Sequence, residues 1–324
     1  MIGWREADRM QEIRLGIVGL GAMGMEMLDT AVKHPDFTLV RAVDLDQRTL
    51  DRLAPVHPEV SFGTDASAVV DAPDLDAVYL ATPPSSHAAL TLRALDSGKA
   101  VFCEKPLAID LADGQRMHAA ATRTGLANAV NFALSDRLAV LEIERHLRRG
   151  DAGTVRGVDI RLQFPLWPRD FQSAATWVAG REQGGFVREV LSHFAYLTDR
   201  LLGPLRPEYV SVDYPDSGSE TAARGLLRAG EVPVHVSAIA GQAGPEVYEW
   251  TLWGTRRSYR LRDWADLSIW DAGSWRPVGL AGERGSEYTR LSQFAAAIRG
   301  TSQANLADFA TALRVQEVIE AFHR

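Results

Sequence analysis

Ile13-Arg14-Leu15-Gly16-Ile17-Val18-Gly19-Leu20-Gly21-Ala22-Met23-Gly24 is the stretch whose reading decides the fold. Its apolar start predicts a short strand, and a helical pattern follows through Met25 and Met27, stopping near Pro35. Between strand and helix stands GxGxxG, and each of its glycines has a physical task. Gly19 permits the tight turn, Gly21 lets backbone approach a pyrophosphate, and Gly24 allows close helix packing. The helix N-terminus at Ala22 and Met23 then turns free N–H groups and a favourable dipole toward the anion. Asp44 ends the next expected strand about twenty positions after Gly24, where a carboxylate accepts from ribose hydroxyls. This combination predicts a dinucleotide site. Asp44, seconded by Asp46, repels the extra 2′-phosphate of NADP, so NAD is the expected cofactor. Arg48 lies near enough in sequence to keep NADP possible.

Outward from this unit, apolar runs at 38–43, 77–80 and 100–102 alternate with helical patterns at 47–53 and 87–95. Such alternation predicts a parallel sheet, covered by helices on both faces and joined by right-handed crossovers. The pattern changes after about residue 130. A helix is expected at 136–149, a strand at 154–164, a loop rich in Trp, Pro and Arg, and a helix at 186–202. Strands at 226–227, 232–239, 247–253 and 258–261, separated by Gly or charged turns, then predict an antiparallel sheet. Ala312, Val315, Ile319 and Phe322 form an apolar stripe on a final helix. The expected fold is therefore α/β: an N-terminal Rossmann parallel sheet over residues 12–130, then an α+β domain over 131–324 with a large, mainly antiparallel open sheet. The second domain is expected to supply the substrate site and the oligomer contact.

The 324 residues suit two domains better than one core. A composition 46% hydrophobic and 24% charged, with no long apolar run, excludes a helical membrane protein. The net charge of -7 and scattered arginines give no footprint for nucleic acid. Residues 1–10 carry mixed charge and no apolar segment, so no secretory signal is read and a cytoplasmic address is expected. Cys103 is the single cysteine, which rules out an intrachain disulfide and a cysteine-based metal cluster; no metal is expected. Of the 35 basic residues only Lys33, Lys99 and Lys105 are lysine. A lysine in a cleft here has a chemical reason to be one, because its protonation can be tuned and arginine's cannot.

Two further motifs fall at C-terminal strand ends, the edge where open parallel sheets bind ligands: Thr82-Pro83-Pro84-Ser85-Ser86-His87 and Glu104-Lys105-Pro106. Together with GLGAMG they resemble the Gfo/Idh/MocA family, which includes glucose-fructose oxidoreductase and inositol dehydrogenases. The resemblance spans the whole N-terminal half. It implies that Thr82, Pro83, His87 and Glu104 belong to the cofactor region and that Lys105 lies beside nicotinamide and substrate, where an ammonium stabilises a developing alkoxide. Downstream, Gly184-Gly185-Phe186-Val187-Arg188-Glu189-Val190-Leu191-Ser192-His193 resembles the family's glycine-led helix bearing an acid and a histidine. On helical spacing Glu189 orients the imidazole and His193 serves as general base.

The sequence also departs from that family. The usual aspartate is Glu189, a second acid is replaced by Tyr196, and a common arginine is Ser135. The loop carrying Trp167, Arg169, Asp170, Trp177 and Arg181 suits a polyol or an acidic group, since Trp stacks on sugar faces and Arg forks onto carboxylates. Arg169 and Trp177 join Lys105 and His193 as expected substrate contacts. Trp250, Trp253, Trp264, Trp270 and Trp275 either fill a core or cover a homodimer or homotetramer interface. The function expected is NAD(P)-dependent hydride transfer between nicotinamide and a secondary alcohol of a sugar, polyol or related hydroxy compound. The alternatives are a redox-neutral glycosidase using NAD transiently and a non-catalytic cofactor-bound regulator.

Overall fold

Six short strands, almost wholly apolar toward their neighbours, pair in parallel: β1 (Ile13–Val18), β2 (Phe37–Val43), β3 (Ser61–Gly63), β4 (Ala77–Leu80), β5 (Ala100–Cys103) and β6 (Asn128–Val130). Their order is β3-β2-β1-β4-β5-β6, so it reverses between β1 and β4 and opens a crevice beyond those strands' C-terminal ends. The computed structural model describes residues 12–172, 175–282, 284–301 and 305–324; the stretch read as lacking a secretory signal lies outside them. β4 and β5 are buried along their full length because helices cover both faces of the sheet. Two three-residue strands, β3 and β6, escaped the sequence reading, being too short for any periodicity. Helix Leu111–Thr124 escaped it too: its buried stripe is Gly114, Met117, Ala120 and Ala121, small residues that give little apolar signal.

The second sheet holds β7 (Val155–Phe164), β8 (Leu205–Asp213), β9 (Ala222–Ala229), β10 (Val232–Ala240), β11 (Val247–Gly254), β12 (Ser258–Arg262), β13 (Asp266–Asp271) and β14 (Ser274–Pro277). Their order is β14-β13-β12-β11-β7-β10-β9-β8, antiparallel throughout except where β7 meets β10. One face packs on helix Ser192–Leu202, to which the fully buried Trp250 is tied by its indole N–H donating to Thr198 Oγ1 at 2.9 Å. The other face alternates outward along β10 and leaves Trp253 and Trp270 41% and 40% exposed. The tryptophans thus divide between core and open face.

Two C-terminal helices fold back onto the first sheet. Glu287–Ile298 inserts Leu291, Phe294 and Ala295 into its core, with Phe294 5.1 Å from the Phe102 ring. Phe309–Ala321 buries Ala312, Val315 and Ile319, the stripe read from the sequence. No helix of the described residues is long and apolar enough to cross a membrane.

Candidate active site

The glycine loop is built as its spacing requires. Gly19 has φ +93°, and a Cβ there would lie 2.6 Å from the Ala81 carbonyl, so both backbone sign and close approach exclude a side chain. At Gly24 a Cβ would lie 1.9 Å from the Gly19 oxygen. Nothing lies within 4 Å of a Cβ at Gly21, which leaves open space against helix Ala22–Ala31, whose N-terminus carries no side-chain cap. That opening and those uncapped N–H groups fit a pyrophosphate. Asp44 braces the loop. Its Oδ2 accepts the Leu20 N–H at 2.6 Å and its Oδ1 the Asp46 N–H at 2.8 Å, and each oxygen keeps a lone pair for a ribose hydroxyl. The residues present thus suit NAD.

The neighbouring motif loops are locked to one another by His87. It is fully buried, with Nδ1 2.9 Å from the Pro106 oxygen and Nε2 2.9 Å from the Thr82 oxygen. Both ring nitrogens thus face protein carbonyls, and the ring, held toward its neutral form by burial, donates to one of them, which corrects the expectation that His87 touches cofactor. Its task is to hold the Thr82-Pro83 turn against the Lys105-Pro106 turn. Glu104 is also buried. It accepts from the Tyr79 hydroxyl and, at 2.8 Å, from Asn131, while burial and the nearby Glu287 push its carboxyl up to about 7.

Lys105 leaves the end of β5 and reaches across to the second sheet's helical layer, where its Nζ donates to Glu189 Oε2 at 2.7 Å. Glu189 lies in a π turn, Val187–Leu191, that runs into helix Ser192–Leu202. Its carboxylate takes a second bond from Gln172 Nε2 at 3.0 Å, and its Oε1 has no partner among the described residues. The π turn is pinned from behind. Arg188 forks onto Glu320 with two 2.7 Å bonds, and Glu220 accepts the Val187 N–H at 2.7 Å. Gly185 has φ +93°, and a Cβ on it would strike the Glu220 carboxylate.

The expected Glu189–His193 contact is replaced. Glu189's recorded bonds go to Lys105 and Gln172, while His193 Nδ1 accepts the Ala133 N–H at 3.2 Å. The π turn breaks the α-helical spacing on which that contact was predicted. A backbone N–H can only donate, so Nδ1 carries the lone pair and the neutral ring's hydrogen sits on Nε2. Burial first, then the charges of Lys105 and Arg169, hold His193 well below the usual imidazole range. The ring is therefore neutral and presents an N–H donor, which corrects its assignment as the base that takes a hydroxyl proton. Tyr196 is not an alternative acceptor: it stacks on Phe132 and donates to the Asn305 carbonyl at 3.0 Å. Ser135 likewise turns inward, to the Phe132 carbonyl at 2.6 Å.

The tryptophan-rich loop divides as well. Arg169 joins the site, its Nε donating to Gln172 Oε1 at 2.9 Å and its Nη1 to the Tyr248 hydroxyl at 3.2 Å. Arg181 instead lies over the Tyr214 ring at 3.8 Å, behind the π turn. Trp177 is half-buried on the turn Thr176–Ala179, and Asp170 is exposed. Sequence reading missed Gln172, Tyr248 and Trp264. Trp264 stands edge-on to His193 at 5.2 Å with φ +67°, and Tyr248 packs on it at 5.2 Å. No motif marks these residues. Among the described residues no group of three or more His, Cys, Asp or Glu is placed to hold a metal ion.

Comparison with known proteins agrees with this geometry. A family model described as "Oxidoreductase family, NAD-binding Rossmann fold" matches residues 13–132. Over 113 residues the chain is 38% identical to 1-carboxy-3-chloro-3,4-dihydroxycyclo hexa-1,5-diene dehydrogenase of Comamonas testosteroni, covering 35% of this chain and 28% of that protein. It is 31% identical to 1,5-anhydro-D-fructose reductase of Ensifer adhaerens over 221 residues, 66% of this chain and 64% of that one. The matches thus span less than two thirds of these curated relatives. Among solved structures, KijD10, a 3-ketoreductase from Actinomadura kijaniata, superposes with a TM-score of 0.83 over 97% of each chain at 18% identity, which shows the shared fold. Residues 13–132 thus match the Gfo/Idh/MocA oxidoreductase family as an NAD-binding Rossmann domain.

Proposed function

We propose that this protein is an NAD-dependent dehydrogenase or reductase acting on a secondary alcohol, or the matching ketone, of a sugar, polyol or related hydroxy compound. The observation that carries the proposal is the Lys105–Glu189 ion pair, formed beside a neutral His193 at the sheet edge where the glycine loop opens. In this reading residues 12–130 hold the cofactor through Gly19, Gly21, Ala22, Met23, Gly24, Asp44, Thr82 and Pro83, and residues 131–324 shape the substrate site. NAD, when bound, supplies the hydride acceptor, or as NADH the donor.

Lys105 Nζ and His193 Nε2 both present N–H groups, an arrangement that stabilises a carbonyl oxygen as it gains negative charge. Glu189 fixes the ammonium. The site as built is thus set for reduction, with Lys105 giving the alkoxide its proton. In oxidation the hydroxyl proton must go to Lys105 after that group has lost one, because Nε2 already carries a hydrogen. Asp44 favours NAD over NADP by charge. The open face with Trp253, Trp270 and Trp275 is the proposed contact in a homodimer or homotetramer. A cytoplasmic setting is in keeping with the buried free thiol of Cys103.

The test is a 340 nm assay of sugars, polyols, sugar acids and their keto forms with NAD or NADH, run on the parent and on Lys105→Ala. Turnover that falls by about a hundredfold or more in the variant, with NAD affinity retained, is the expected result. Tight NAD binding without turnover of any compound in the panel refutes the proposal.

A further inference from the structure

Charge in the cleft does not balance. Lys105 and Glu189 neutralise each other at 2.7 Å, but Arg169 has no carboxylate within ion-pair distance among the described residues. The acids to which it connects, Glu246 and Glu189, are reached only through the Tyr248 hydroxyl and the Gln172 amide. Asp170, next in sequence, is exposed on its turn. The groups that lower His193's proton affinity are, after burial, all cations: Lys105, Arg169, Arg290 and Arg137.

Arg169 is also held in place, as a receptor for an anion has to be. Its guanidinium lies 5.4 Å from the Trp167 ring centre and 4.6 Å from that of Phe171. Two of its N–H groups are committed, to Gln172 and Tyr248, which leaves donors on both terminal nitrogens. A planar fork of this kind matches a carboxylate with two parallel bonds. Gln172 ties the fork to the chemistry, because its amide donates to the same Glu189 oxygen that Lys105 holds, while its carbonyl accepts from Arg169. Glu189 Oε1, buried and unpartnered among the described residues, is a free acceptor on the same carboxylate.

We propose that the substrate carries a carboxylate besides its reacting hydroxyl or carbonyl group, and that Arg169 receives it. This rests on the dehydrogenase reading above and narrows its substrate class. The Glu189 carboxylate and the Gln172 amide stand between the Lys105 ammonium and the Arg169 guanidinium, a path on the order of 10 Å. That path turns at Glu189 Oε2 and so sets an upper limit on the separation, within which falls a carboxylate several carbons from the reacting centre, as in a sugar acid or a ring hydroxy acid.

The experiment compares matched acid and neutral compounds: glucuronate with glucose, galacturonate with galactose, gluconate with glucitol. Each is assayed for turnover at 340 nm and, by calorimetry, for binding to the NAD-loaded protein, in the parent, Arg169→Gln and Arg169→Lys. At least one acid is expected to exceed its neutral partner about 10- to 100-fold in kcat/KM, the worth of hydrogen bonds to a charged group. Arg169→Gln brings that ratio near one, and Arg169→Lys, which keeps charge but loses the fork, falls between. Neutral compounds turned over as well as the acids overturn the carboxylate inference and leave the dehydrogenase reading standing. Acids that bind through Arg169 but never react preserve the inference and overturn the reading. Neither binding nor turnover by any acid refutes the anion site outright.

Discussion

Glu189→Gln isolates the charge of the central ion pair from its shape. The Glu189 side chain is 4% exposed and its partner Lys105 13%, so the pair is largely removed from water. A glutamine can keep its oxygen in the Oε2 position, accepting from Lys105 and Gln172, and place its amide nitrogen where Oε1 now lacks a partner. Two unit charges 4 Å apart attract by about 4 kcal/mol at an effective dielectric of about 20. Removing one partner of a buried pair costs about 3–5 kcal/mol, and the retained hydrogen bonds put this variant at the lower end, about 3 kcal/mol. That corresponds to a Tm lower by roughly 5–10 °C for a chain of this size. Lys105→Met should be similarly destabilised, whereas the double variant should cost about 3–4 kcal/mol, little more than either single, because no uncompensated charge remains. The coupling from the four-member cycle, read by thermal and urea unfolding, is expected at about 2–3 kcal/mol. Turnover should fall about a hundredfold in each single variant and not recover in the double. A Tm within 1–2 °C of the parent in Glu189→Gln, with additive single variants, would show that the pair does not organise the site.

Asp44→Ala should weaken NAD binding and reduce discrimination against NADP, since the carboxylate both accepts from ribose and braces Leu20; unchanged affinities for both cofactors by calorimetry refute its role. Trp270→Glu on the exposed sheet face should convert an oligomer into a monomer by light scattering without lowering secondary-structure content, and a parent that is already monomeric at micromolar concentration refutes the interface. Stability should depend on pH from both sides. His193 and His323 are held neutral, His323 down to about 3, so the stability each contributes is present above about pH 6.5 and is lost as pH falls. Glu104 is raised to about 7, so its contribution is present below about pH 4.5 and is lost as pH rises through 7. Glu104→Gln should therefore flatten the alkaline limb of a Tm-versus-pH curve by an amount on the order of 3 kcal/mol at pH 8, and an unaltered limb refutes the assignment.

What the sequence disclosed and what it withheld divide by the range of the interactions involved. The glycine loop is local: Gly19, Gly21 and Gly24 answer to contacts within one strand–turn–helix unit and to the Ala81 turn, so their spacing carries the geometry. Asp44 is nearly as local, and four of the six strands of the first sheet, β1, β2, β4 and β5, announce themselves as apolar runs. The site's chemistry is not local. Lys105 and Glu189 are 84 positions apart and His193 takes its bond from Ala133, 60 positions away, so no periodicity connects them. Reading Glu189 and His193 as an α-helical pair placed the acid on the wrong partner, because a π turn looks in sequence like any other helical turn. The contacts that hold that turn lie farther off still: Glu320 on the last helix is forked by Arg188, and Glu220, two residues before β9, takes the Val187 N–H. The acid's reach toward Lys105 is thus set by residues that no motif contains. Glu189's extra methylene has the same origin, since the longer side chain spans from the π turn to the lysine at 2.7 Å. Once the carboxylate is committed there, His193 is left with a backbone donor at Nδ1 and a hydrogen on Nε2.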